Sequence, residues 1–204
     1  MMGNVSLAIS GEDAALLHWT LTEARNREIG RRTYLSGARA RKTGKHPSQD
    51  RAIAANRVER VTKVRLAIEG ISPGAFSVTA ALPDDSEVIG GHFHGRMCGA
   101  GEADAPNGGT LELDGDDLVV LIVVLDEYRR KQKGQRRYLR TQDARDQTNT
   151  PWMLEQEAAM AGARAEATAG LLRRLVNLLD GPLVERARTE DGRDVAVERK
   201  LPRL

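Results

Sequence analysis

The sequence predicts an α+β protein built as a tandem duplication, and three observations carry that expectation. One is a self-alignment: setting Gly11 over Gly115 brings Leu7 onto Leu111, Ile9 onto Leu113, Asp13 onto Asp117, Leu17 onto Leu121, Leu21 onto Leu125 and Glu23 onto Glu127. The same offset continues through Arg25 and Arg129, Gly30 and Gly134, Arg32 and Arg136, Tyr34-Leu35 and Tyr138-Leu139, and Pro47 and Pro151. The second is the repeated order of signals, an alternating apolar segment, two helical segments and a pair of β-like runs. The third is size, since 204 residues bury a core without staples, and a period of roughly a hundred residues marks a duplicated domain rather than a solenoid. The expected units are residues 3–103 and 107–204, each strand, helix, helix, hairpin, giving about six strands and about four helices with pseudo-twofold symmetry.

Each element follows from local chemistry. Val5, Leu7 and Ile9 alternate with small or polar residues, as do Leu111 and Leu113, the period-two mark of a half-buried strand. Ser10 and Asp114 then stand where an N-cap is wanted, with Asp13 and Asp117 three residues later. The first helix of each unit, helix A, is expected to run to about Arg27 ahead of Gly30 and over residues 115–133 ahead of Gly134. The run at 118–125 is apolar throughout and rich in β-branched residues, which suits a strand. It is read as helix because its counterpart, residues 14–21, is a good helix former; burial on every face, between the two units, is the corollary.

Helix B is expected to start at Pro47 and Pro151, in the N1 position, with Thr150 as N-cap of the latter. Ala54, Val58, Val61, Val64 and Ile68 form its apolar stripe in the first unit. In the second, small residues from Ala158 to Gly170 precede Leu171, Leu172, Leu175, Val176, Leu178 and Leu179. Gly70 and Asp180-Gly181-Pro182 supply the stops. Hairpins follow at 75–93, turning at Pro83-Asp84-Asp85-Ser86, and at 183–200, turning at Asp191-Gly192. The strand-helix-helix order invites comparison with ribbon-helix-helix repressors. About fifteen residues part helix A from Pro47 where those proteins have a short turn, and a hairpin follows, so the chain is not assigned to that family.

Composition narrows the function classes. A single cysteine, Cys98, excludes an intramolecular disulfide, and the longest apolar run is flanked by Asp116-Asp117 and Asp126-Glu127 and too short to span a bilayer. A cytoplasmic protein with no membrane segment and no cofactor is the expectation. The net charge of +2 conceals segregation: residues 25–65 carry thirteen basic and three acidic side chains, residues 71–109 one basic and five acidic. Arg25, Arg27, Arg31, Arg32, Arg39 and Arg41 in the first unit, and Arg129, Arg130, Lys131, Lys133, Arg136 and Arg137 in the second, form matching basic runs at the end of helix A. Guanidinium groups meet phosphate oxygens bidentately, so these runs are the candidate surface for nucleic acid or another anionic ligand such as a nucleotide. The structural alternative is that they complement helix dipoles and solvate a long face.

Nothing points to catalysis. His92, His94 and Cys98 could be imagined around zinc, but a fourth ligand is not evident and the second unit has Arg199, Lys200 and Leu201 there. Asp84-Asp85 reads as a turn, Asp116-Asp117 as a helix start, and Trp19, Tyr34, Tyr138 and Trp152 as core or interface anchors. His18 has no nucleophile at a recognisable spacing. The chain is therefore expected to be a non-enzymatic binding protein. The alternative is an assembly protein, of the kind encoded by high-GC bacteria or their phages, whose 118–125 helix and Ala-rich helix B form a homo-oligomer or protein interface.

Overall fold

The alternation at the start of each unit becomes a two-stranded antiparallel ribbon. β1 (Val5–Ile9) pairs with β2 (Gly109–Leu113) so that Leu7 lies opposite Leu111 and Val5 opposite Leu113. Leu7, Ile9, Leu111 and Leu113 are buried, while Ser6, Ala8, Thr110 and Glu112 face outward. The computed structural model describes residues 4–37, 47–71, 108–141, 144 and 151–204. Within them are four helices, α1 (Gly11–Ser36), α2 (Pro47–Ile71), α3 (Gly115–Leu139) and α4 (Pro151–Leu178), and a second antiparallel pair, β3 (Val184–Arg188) with β4 (Asp194–Glu198). Four strands in two small sheets therefore stand among the described residues in place of the expected six. The hairpin expected over 75–93 lies outside them.

Both helix starts are capping boxes. The Ser10 hydroxyl accepts the Asp13 amide at 3.1 Å while the Asp13 carboxylate accepts the Ser10 amide at 3.0 Å. Asp114 and Asp117 do the same at 2.8 and 3.4 Å. The helix ends differ from expectation: α1 continues through Gly30 to Ser36, and α3 through Gly134 to Leu139. A glycine inside a helix costs only about 1 kcal/mol relative to alanine, and Leu139, buried beyond Gly134, rewards the continuation with packing. α2 likewise runs past Gly70 to Ile71, whereas Gly181, at φ 97°, takes the left-handed conformation just beyond α4.

α1 packs along α2 and α3 along α4, two helical hairpins joined by the ribbon and by one continuous apolar core. The run at 118–125 is helical, and all eight of its side chains are buried within the chain. It consequently offers no surface for the oligomer interface expected of it. The β3–β4 hairpin lies against α2 and α3, its turn closed by Gly192 at φ 81°. The buried stripe of α2 also departs from expectation. Ala54, Arg57, Val61, Val64 and Ile68 point inward, and Val58 is only half-buried. An arginine thus occupies a core position, which demands partners.

Candidate anion-binding surface

Arg57 is 1 % exposed, the largest fully buried side chain described. Its Nε and Nη2 donate to the two carboxylate oxygens of Glu185 on β3 at 2.6 and 2.8 Å, and its Nη1 donates to Glu28 of α1 at 3.1 Å and Glu127 of α3 at 3.0 Å. Arg199 donates to Glu185 at 2.6 Å from beyond β4. Burial works to discharge Arg57, but the bidentate bond to Glu185 and the charges of Glu185, Glu127 and Glu28 prevail and hold its pKa above the ordinary value. Burial would likewise raise Glu185, yet its bonds to Arg57 and Arg199 keep it below the usual carboxylate range. This cluster ties three helices to the β3–β4 hairpin.

The caps of α3 are held from α2. Arg60 donates to Asp114 at 2.7 Å and Asp117 at 3.1 Å, and Lys63 donates to Asp114 at 2.8 Å and also pairs with Asp117. Burial opposes ionisation of Asp114, but the Lys63 bond, the Asp117 amide and the Arg60 charge drive its pKa well below normal. On the other side Arg174 of α4 reaches Asp13 at 2.6 Å and the Ala8 carbonyl at 3.0 Å. With Glu12, Asp116 and Glu112 nearby in sequence, the ribbon end carries acidic side chains, and basic ones accumulate toward the C-termini of α1 and α3.

Several members of the candidate basic runs are already engaged. Arg25 donates to the Thr62 hydroxyl at 3.1 Å; Arg27 pairs with Glu127 at 2.6 Å; Arg31 pairs with Asp50 at 3.1 Å. Arg129 is buried between Asp126, at 2.9 Å, and the Arg203 carbonyl, at 2.7 Å. Arg130 holds Asp126 at 2.5 Å, and Lys131 pairs with Glu23. Arg39 and Arg41 lie outside the described residues, as do Asp84, Asp85, His92, His94 and Cys98. Arg32, Lys133, Arg136 and Arg137, together with Arg140, have no carboxylate partner among the described residues. Lys133 stands three and four residues before Arg136 and Arg137, which stand four and three before the C-cap Arg140, so the four share one side of the end of α3. The Arg136 guanidinium lies across α4 at Gly162, where an added Cβ would meet its Nε at 3.2 Å.

The aromatic side chains correct the core half of the expectation that they are core or interface anchors. Trp19, Tyr34, Tyr138 and Trp152 are 43, 58, 48 and 66 % exposed, so none is a core anchor of this chain. Among the described residues Tyr128 is the buried aromatic, and burial pushes its phenol up to about 12. His18 contacts Glu69 at 2.9 Å. Among the described residues no group of three His, Cys, Asp or Glu side chains could hold a metal ion, and no helix is long and apolar enough to cross a membrane. Compared with known proteins, the chain matches no family model, no curated protein and no solved structure.

Proposed function

We propose that this chain is a non-enzymatic, soluble and cytoplasmic binding protein, a duplicated strand-helix-helix-hairpin unit whose basic helix ends engage an anionic partner, nucleic acid first. The observation that carries this reading is the stripe of Lys133, Arg136, Arg137 and Arg140 without carboxylate partners among the described residues. Seven basic side chains and no acidic one occupy residues 128–140. Like charges three and four apart on a helix oppose each other by roughly 0.2–0.5 kcal/mol per pair, partly offset by the helix dipole at a C-terminus. A polyanion laid along the stripe neutralises them and gains the entropy of released counterions.

The duplication is supported by the ribbon register, which sets Leu7 against Leu111, the same two residues the self-alignment superposes. It is supported again by Glu23 with Lys131 and Arg27 with Glu127, reciprocal pairs under the same offset. A labelled nucleic-acid duplex titrated at several salt concentrations tests the binding. Affinity should fall with a log–log slope of about −3 to −4 if the four stripe cations meet phosphates, and Lys133→Gln with Arg137→Gln should flatten that slope by about 2. No retention of duplex at low salt defeats the reading. A second reading, an assembly role, is favoured by Trp152, two-thirds exposed at the start of α4; light scattering that finds a strict monomer with no partner removes it.

A further inference from the structure

A cleft of about 280 Å³ is lined by Arg32 and Ser36 of α1, Ser48 and Arg51 of α2, Arg188 of β3 and Glu190 of the turn that follows. We propose that it binds a phosphate monoester. Three guanidinium groups from three different elements line it together with one carboxylate. A phosphate monoester carries roughly −1.5 to −2 at neutral pH, whereas each phosphodiester of a polymer carries one negative charge. A monoester also offers three terminal oxygens to the three guanidinium forks, where a phosphodiester offers two. Planar guanidinium forks suit its oxygens bidentately.

The cations are available to such a guest. Arg32 has no carboxylate partner among the described residues. Arg51 pairs with Glu190 at 2.6 Å and Arg188 with Asp194 at 2.8 Å, but both carboxylates are more than three-quarters exposed, at 79 and 78 %. Surface pairs of that kind are worth little and exchange readily for a better anion. Displaced from Arg51, Glu190 becomes an acceptor for a hydroxyl or amine on the organic part of the ligand. The volume lies at or below the lower end of small-molecule sites, about 300 Å³, so the cleft fits a phosphate with one attached group and not a length of polymer.

This goes beyond the polyanion reading, since it uses none of the α3 stripe, and one experiment separates the two. Adenosine 5′-monophosphate, adenosine, a nucleic-acid duplex, and one single-stranded oligonucleotide with either a 5′-phosphate or a 5′-hydroxyl are titrated at low salt by calorimetry. The monophosphate should bind at least tenfold more tightly than adenosine. Arg32→Gln and Arg188→Gln should each weaken it at least fivefold, with Lys133→Gln plus Arg137→Gln leaving it unchanged. Both cleft arginines are exposed, and circular dichroism confirms that the variants fold; arginine side-chain NMR shifts on adding inorganic phosphate provide a second readout in the wild-type protein. Oligonucleotide binding that requires the 5′-phosphate assigns the cleft to strand ends, and binding of the mononucleotide alone assigns it to free nucleotides. Monophosphate bound no better than adenosine, or bound equally by the arginine variants, overturns the proposal even if duplex still binds. Monophosphate binding without duplex binding overturns the polyanion reading instead.

Discussion

Replacing Glu185 by Gln removes one charge from the most deeply buried ion cluster among the described residues. Arg57, 1 % exposed, then faces an amide that offers one acceptor oxygen and no charge where Glu185 offered two at 2.6 and 2.8 Å, and its remaining carboxylates are Glu28 at 3.1 Å and Glu127 at 3.0 Å. Removing one member of a buried pair costs about 3–5 kcal/mol, because the other charge remains desolvated. Against a total stability of about 5–15 kcal/mol that is about a fifth or more, and for a chain of this length it lowers Tm by roughly 6–20 °C. Urea unfolding followed by circular dichroism reads the loss as a shift in midpoint at unchanged slope. In a double-mutant cycle with Arg57→Met the two substitutions should be strongly non-additive, since each leaves the other group stranded. A loss below about 1 kcal/mol for Glu185→Gln, or additive effects, would refute the argument that this cluster fastens the β3–β4 hairpin to the helices.

Two further substitutions test the ribbon and its flanking caps. Gly108→Ala places a Cβ 2.7 Å from the Ile9 carbonyl oxygen and 3.3 Å from the Ser10 Cα, backbone atoms that cannot step aside, and thermal unfolding should register a loss of about 1–3 kcal/mol. Asp114→Asn keeps a competent N-cap but surrenders the charges facing Arg60 and Lys63. The folded-state pKa of Asp114 is depressed, so the stability the wild type holds over this variant is fully present above the ordinary carboxylate pKa of about 4 and is lost as pH falls through the lower folded value. Unfolding midpoints measured between neutral and acid pH should therefore converge; a constant gap means the charge pairs contribute nothing.

What the sequence disclosed was whatever depends on neighbours in the chain. The two capping boxes were legible because Ser10 with Asp13 and Asp114 with Asp117 are three-residue patterns. The hairpin around Asp191-Gly192 was legible because Gly192 must adopt positive φ. Helix ends were not, because a single glycine such as Gly30 or Gly134 weakens a helix too little to stop it, and beyond Gly134 the chain still has Leu139 to bury. The ion cluster was missed for a different reason. Its members, Glu28, Arg57, Glu127 and Glu185, stand on four separate elements, and a search for apolar spacing passes over an arginine. The available signal was the spacing of 54, 57, 61, 64 and 68, regular in threes and fours with one charged member. The basic runs were visible as charge, but not which of their cations would be spoken for, since Glu127, Asp50 and Glu23 reach Arg27, Arg31 and Lys131 only through the tertiary fold.

The ribbon has an entropic consequence. Leu7 meets Leu111 across roughly a hundred intervening residues, and closing a flexible loop of that length costs on the order of 4 kcal/mol from its logarithmic part alone. Two short strands cannot supply that by themselves, since an isolated pair is marginal in water. The closure is sustained by Leu7, Ile9, Leu111 and Leu113 sinking into the helical core. The ribbon is thus the last part of the molecule able to exist on its own, and it should vanish as soon as the helices beneath it part.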